Sequence, residues 1–196
     1  MAVLGAVETS AVTLRDAKHQ RPVINGPRCR NHGPRRALST IRVIVIHDAE
    51  APSNGATGVA NYGATTGTAV SWHVVVDDNK AFRQLPDGIV SWTAPGCNYD
   101  GLHIEQCGYA RYSKLDWFRH QATLKRAAWI VAKWCRLYKI PPVWLTDEGL
   151  RAGKRGLVTH AQVSRVYKRS DHTDPGPNYP RGYFALLVRR RIGWLE

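Results

Sequence analysis

Seven consecutive residues, Ile41-Arg42-Val43-Ile44-Val45-Ile46-His47, constrain the fold more than any other stretch. Successive side chains of an extended segment point to opposite faces, so this one presents apolar groups on both. Only a strand covered on both sides buries them, and the β-branched residues favour that pleated state. The segment therefore predicts an interior strand of a sheet flanked by helices. Its last residue, His47, stands at the C-terminal end, where α/β sheets present reactive groups to a crevice.

The rest of the chain supplies partners for that strand. Ala69 to Asp77 reads as a second strand, and the polar turn Asp78-Asn79-Lys80 leads into Ala81–Leu85 as its hairpin partner. Ile89–Trp92 reads as a short strand and Leu102–Cys107 as another, with His103 and Glu105 on one face. Gly58–Tyr62 centres a short helix. Between Lys114 and Tyr138 the period changes: Leu115, Phe118, Ala122, Trp129, Ala132 and Leu137 form an apolar stripe, ended by Pro141-Pro142. Asp147–Arg155 reads as loop, Gly156–His160 as a short extended piece, and Tyr183–Arg190 as a terminal helix covering the sheet. The expectation is an α/β fold: one domain at 41–196 with a central mixed β-sheet flanked by helices. Residues 1–40 hold several prolines, glycines and arginines without periodicity. They read as a basic, mostly irregular extension lying against the domain, or as a linker.

Charge narrows the partners. The 196 residues carry a net +13, which predicts attraction to a polyanion: nucleic acid, anionic membrane or acidic cell wall. The basic residues are scattered and form no recognisable nucleic-acid motif. No apolar run approaches the ~20 residues that span a bilayer. The first residues, Met1 to Glu8, lack a basic segment and carry an early acid, so no secretory signal is recognised and folding in a cytosol is expected. Cys29, Cys97, Cys107 and Cys135 form no C-x-x-C pair; free thiols are expected, with a Cys97–Cys107 bridge as the alternative.

Near the end of the chain, His160, Asp171, His172 and Asp174 gather ahead of Pro175-Gly176-Pro177, a turn that continues neither helix nor strand. Imidazoles and carboxylates on a rigid turn suit a first-row metal, zinc above all. Such a site needs three protein ligands, so a donor from elsewhere in the chain is also required. Taken singly each residue has an ordinary explanation: a strand-closing histidine packs in a core, and an aspartate before Pro-Gly caps a turn.

The order of the pieces resolves this. Ile44-Val45-Ile46-His47, Ser71-Trp72-His73-Val74-Val75-Val76-Asp77, Gln84-Leu85-Pro86, Trp92-Thr93-Ala94, Asn98, Ile104-Glu105, Thr159-His160 and Thr173-Asp174-Pro175-Gly176-Pro177 follow one another. Together they resemble the zinc-dependent N-acetylmuramoyl-L-alanine amidases of the type-2, peptidoglycan-recognition-protein-like family, which includes phage endolysins. The resemblance covers about Ile41 to Pro180. It implies that His47, His160 and Asp174 hold one Zn²⁺ and that Glu105 assists the attacking water. It also implies an oxyanion-stabilising lysine two positions before the third ligand; here that position is His172, which can do the same work over a lower pH range. His73 corresponds to a residue near the site that is not a ligand. Trp92 and Asn98 are candidates for the peptide groove.

The function this implies is cleavage of the amide between N-acetylmuramic acid and the L-alanine of the stem peptide. A monomeric phage endolysin fits best, held in the host cytoplasm until release and then drawn to peptidoglycan and anionic wall polymers. Two rivals stand beside it: a non-catalytic peptidoglycan-binding module on the same fold, and a basic nucleic-acid-binding protein with incidental histidines. The first would lose the metal ligands, and the second would bind with a steep salt dependence.

Overall fold

The computed structural model describes residues 23–193. Six strands form one mixed sheet: β1 (Val23–Asn25), β2 (Val43–Asp48), β3 (Val74–Val76), β4 (Ala81–Arg83), β5 (Gly101–Gln106) and β6 (Gly156–Thr159), in the order β1-β4-β3-β5-β2-β6. The β3–β4 pair is antiparallel, as its short turn requires, and all other pairs are parallel. β2 and β5 are buried at every position, as the two-faced apolar pattern of 41–47 predicts.

Helices cover both faces. They are α1 (Ala56–Thr65), α2 (Lys114–Arg119), α3 (Gln121–Leu137), α4 (Asp147–Arg151), α5 (His160–Tyr167) and α6 (Arg181–Ile192). Ile44, Ile46, Leu102, Ile104 and Leu157 point to one face, where they meet Leu124, Ala128 and Val131 of α3 and Phe184 and Val188 of α6. Val43, Val45 and Val158 point to the other, against Cys97, Leu150 and Val163. A third apolar cluster under α1 joins Cys29, Ala60, Trp72, Val75 and Leu85. All four cysteines are buried free thiols, so the Cys97–Cys107 bridge does not form.

Several elements differ from expectation. Of the strand expected over 69–77, only Val74–Val76 joins the ladder; Ser71 instead donates its N–H to the Trp92 carbonyl. Ile89–Trp92 forms no strand beyond an isolated bridge between Arg35 and Ile89. The single helix expected over 114–138 breaks at His120 because Asp78 accepts from the backbone and hydroxyl of Thr123, capping a new helix start. The break rotates the apolar stripe onto Trp117, Leu124, Ala127, Ala128, Val131 and Trp134, leaving Leu115 and Leu137 exposed. Asp147–Arg151, expected as loop, is a helical turn capped by Thr146, whose hydroxyl accepts from the Gly149 N–H.

Residues 23–40 are mostly irregular, with one strand and a 3-10 turn at Leu38–Thr40. They pack on the sheet. β1 pairs with β4, Cys29 is buried, and Arg36 is only 7% exposed. The Arg36 guanidinium donates to the carbonyls of Asp87, Tyr99 and Gly101. The part of the expected extension at 1–22 lies outside the described residues.

Candidate metal centre and active site

Sheet register assembles the first part of the site. β2 pairs with β5 so that His47 lies beside Glu105, and with β6 so that Ile46 lies beside Thr159. The next residue, His160, opens α5, whose first turn is capped by the Thr159 hydroxyl accepting from the Gln162 N–H. Two histidines and a glutamate are thereby brought together at the C-terminal ends of three parallel strands. The turn after α5 brings Asp174 over them, tied to the helix start by a hydrogen bond from the Ala161 N–H to the Asp174 carbonyl.

Asp174 faces both imidazoles. Its Oδ2 lies 3.0 Å from His47 Nδ1, and its Oδ1 lies 3.0 Å from His160 Nδ1. One donor atom from each of the three residues lies within 4.8 Å of the others, and all three side chains are buried. Two neutral imidazoles and one carboxylate leave a divalent ion with net positive charge and an open position, the donor set of a catalytic rather than a structural zinc site. The surroundings fit such an ion: His160 Nε2 and Glu105 Oε2 are buried with no hydrogen-bond partner in the protein.

The two carboxyl groups of this centre are shifted in opposite directions. Burial would raise the Asp174 carboxyl, but the His160, His172 and His47 imidazoles around it hold it well below the usual range. Glu105 is 7% exposed. Burial pushes its carboxyl well above the usual range, and the charges of Asp174 and Asp48 push it further. Its Oε1 is 4.0 Å from His47 Nδ1. β5 is paired on both sides, so Glu105 is not a surface residue on an edge strand. Burial lowers the His47 imidazole to about 4 despite the neighbouring Asp174 carboxylate, which keeps it neutral and able to ligate.

His172 stands at the rim. Its ring stacks on His160 with centroids 4.1 Å apart, its Nδ1 is 3.5 Å from Asp174, and its side chain is 58% exposed. The hydrogen bond to Asp174 raises its pKa, aided by the charges of Asp174 and Asp171 and opposed by burial. Asp171 is exposed.

A cleft of about 800 Å³ opens over the centre, lined by Glu105, His172, Thr173 and Asp174 together with Ala51, Pro52, Val59 and Tyr62. Trp92 and Asn98 do not line it. Asn98 spends its side-chain oxygen on the N–H groups of Thr93 and Ala94, holding that loop, while Trp92 is 38% exposed beside it.

Sequence reasoning missed two neighbours. Asp48 lines the cleft, is buried, and is pushed up to about 8, mainly by burial; its place right after His47 was the available signal. His103 is fully buried between His47 and His73, its Nδ1 3.1 Å from His47 Nε2. Burial takes His103 well below its ordinary pKa, assisted by the charges of His47, His73 and Arg36. Burial and then the Arg36 charge, 3.1 Å from Nε2, lower His73 to about 3.

The family model for N-acetylmuramoyl-L-alanine amidase matches residues 37–177. Among solved structures, the Staphylococcus aureus hydrolase AmiA superposes at 18% identity with a TM-score of 0.63, covering 93% of this chain and 90% of that one. A mutant endolysin from Bacillus subtilis superposes at 17% identity and TM-score 0.58, covering 86% and 99%. The N-acetylmuramoyl-L-alanine amidase LysC from Clostridium intestinale does so at 12% identity and TM-score 0.57, covering 87% and 99%. At these identities the likeness is one of fold. No curated relative matches the chain by sequence.

Proposed function

The chain belongs to the N-acetylmuramoyl-L-alanine amidase family, and from that premise we propose a zinc-dependent peptidoglycan amidase in which His47, His160 and Asp174 are the ligands. The observation that carries this reading is the convergence of those three buried donors within 4.8 Å, beside Glu105, whose buried Oε2 has no hydrogen-bond partner in the protein. The reaction breaks the bond between the lactyl carbonyl carbon and the L-alanine nitrogen; water adds its oxygen to the carbon, and a proton goes to the departing amine. A bound zinc ion supplies Lewis-acid activation of the water and of the scissile carbonyl.

The chain's own residues do the rest. Glu105 takes the proton from the attacking water and returns it to the alanine nitrogen, a role suited to a carboxyl whose burial raises its proton affinity. His172, at the rim and positively charged below its raised pKa, donates toward the oxyanion that develops on the carbonyl. The apolar wall of Ala51, Pro52, Val59 and Tyr62 gives the muramyl peptide a surface to lie on. The net charge of +13 draws the protein to anionic wall polymers. Among the described residues no helix is long and apolar enough to cross a membrane. Lysis of a bacterial host by a phage-encoded enzyme is the biological role that this charge and the endolysin-like fold support best.

Purified protein incubated with peptidoglycan should release stem peptides with a free L-alanine amino terminus, and a chelator should stop it. Release that ignores the chelator, or new reducing sugar ends in place of free amines, would overturn the reading. Restored cleavage on adding back zinc alone completes the test.

A further inference from the structure

A line of hydrogen bonds leads from the metal centre into the sheet, and its direction is fixed at the far end. His103 Nε2 lies 3.2 Å from the backbone carbonyl of Cys97. A carbonyl only accepts, so Nε2 carries the proton and donates. In a neutral ring the other nitrogen, Nδ1, is then a bare acceptor. It lies 3.1 Å from His47 Nε2, which must therefore be the protonated nitrogen of His47. What remains is His47 Nδ1, an unprotonated lone pair aimed at Asp174 Oδ2 at 3.0 Å. Two acceptors facing each other at that distance call for a cation between them.

The position of His103 is fixed on its other sides. Its backbone N–H donates to His73 Nδ1 at 3.1 Å, and the two rings stack within 11° of parallel. Gly101 leaves the room: a Cβ there would come within 2.4 Å of the Cys97 carbonyl oxygen and 2.8 Å of His103 Nε2. Any side chain at 101 would push apart the two groups that set the direction.

We infer that His103 is a positioning residue that locks His47 in the Nε2–H tautomer and so presents Nδ1 to the metal. The inference rests on His47 being a ligand. It adds a determinant of metal affinity that touches neither metal nor substrate. Outer partners of ligating histidines change metal affinity by about 10- to 100-fold when removed.

Two measurements on the full chain test it. The first is long-range ¹H–¹⁵N correlation of the histidine rings in the metal-free protein. The relay requires His47 to show protonated Nε2 and bare Nδ1 before any metal is added; a dominant Nδ1–H form overturns it. This readout stands whether or not zinc binds. The second is zinc affinity by competition with a chromophoric chelator. His103→Phe should weaken binding by about 10- to 100-fold. His103→Asn, whose amide oxygen can accept from His47, should recover most of it. Gly101→Ala should weaken binding with every imidazole intact. Equal affinity in wild type, His103→Phe and Gly101→Ala, each shown folded by its near-UV spectrum, overturns the relay while leaving the amidase reading standing. Failure of the wild type to bind zinc overturns the amidase reading itself.

Discussion

His47 and Glu105 reach the centre from the middle of a sheet, whereas His160, His172 and Asp174 reach it from a helix start and a turn. The strand-borne half is sealed: Glu105 is paired with His47 on one side and Val75 on the other, His47 sits one residue past the ladder to β6, and both are buried. The turn-borne half grades from buried Asp174 to the 58% exposed His172 within three residues. The two carboxylates follow the same division. Glu105, on the strand, is desolvated beside other acids, which push its carboxyl up; Asp174, on the turn, is surrounded by imidazoles, which pull its carboxyl down. A sheet interior offers desolvation, and a turn can gather donors. In the proposed mechanism the first serves proton transfer and the second charge.

The sharpest way to break the comparison is Asp174→Ala. It removes the charge that the turn contributes, and metal retention and hydrolysis should both be abolished, as followed by metal analysis and peptide release. Glu105→Gln tests the strand half: metal should stay bound while turnover falls by about 10²–10⁴-fold. If that variant hydrolyses normally, Glu105 is not the proton carrier.

Acid should find the sealed half first. The His73 pKa is about 3 folded against 6.5 free, so below pH 6.5 the unfolded chain takes up a proton that the folded chain refuses. The stability His73 contributes is complete above pH 6.5 and is lost progressively toward pH 3, on the order of 3 kcal/mol by pH 4. Melting temperature measured against pH should fall over this window, and a flat profile would show that the histidine layer is not sealed.

At the exposed end the effects shrink. His172→Ala should cost about tenfold in kcat, less than a buried oxyanion donor. Its raised pKa means that the imidazole is charged below that value and neutral above it. The deficit should therefore be largest on the acid side and fade as pH rises, and His172→Lys should carry activity further into alkali. A deficit independent of pH would assign His172 to packing on His160. Asp171→Asn, fully at the surface, should change kcat/KM by less than about twofold.

How much of this was legible in the sequence follows the same line. The strand 41–47 announced itself because burial on both faces leaves a continuous apolar run, and the sheet and its flanking helices followed. The partnership of His47, His160 and Asp174 was legible only through family resemblance, since periodicity says nothing about which distant residues meet. The helix His160–Tyr167 was missed because its polar face outweighs so short an apolar stripe. Its one local sign was the Thr159 cap. His103 could be placed on the face of Glu105 by the period of two, but its bond to a loop carbonyl depends on tertiary approach at Gly101. Trp92 and Asn98 lie outside the cleft over the centre; an aromatic and an amide in a loop look alike in sequence whether they meet a ligand or, as Asn98 does, the loop itself.

The way residues 23–40 join the sheet bears on how this molecule can be recombined with others. A graft that began the catalytic unit at residue 41 would strip β1 from the edge of β4 and remove the Arg36 guanidinium from the carbonyls of Asp87, Tyr99 and Gly101. The last of these carbonyls belongs to the residue that makes room beneath His103. A splice made ahead of Val23 keeps these contacts, so chimeras built from this chain should be joined there.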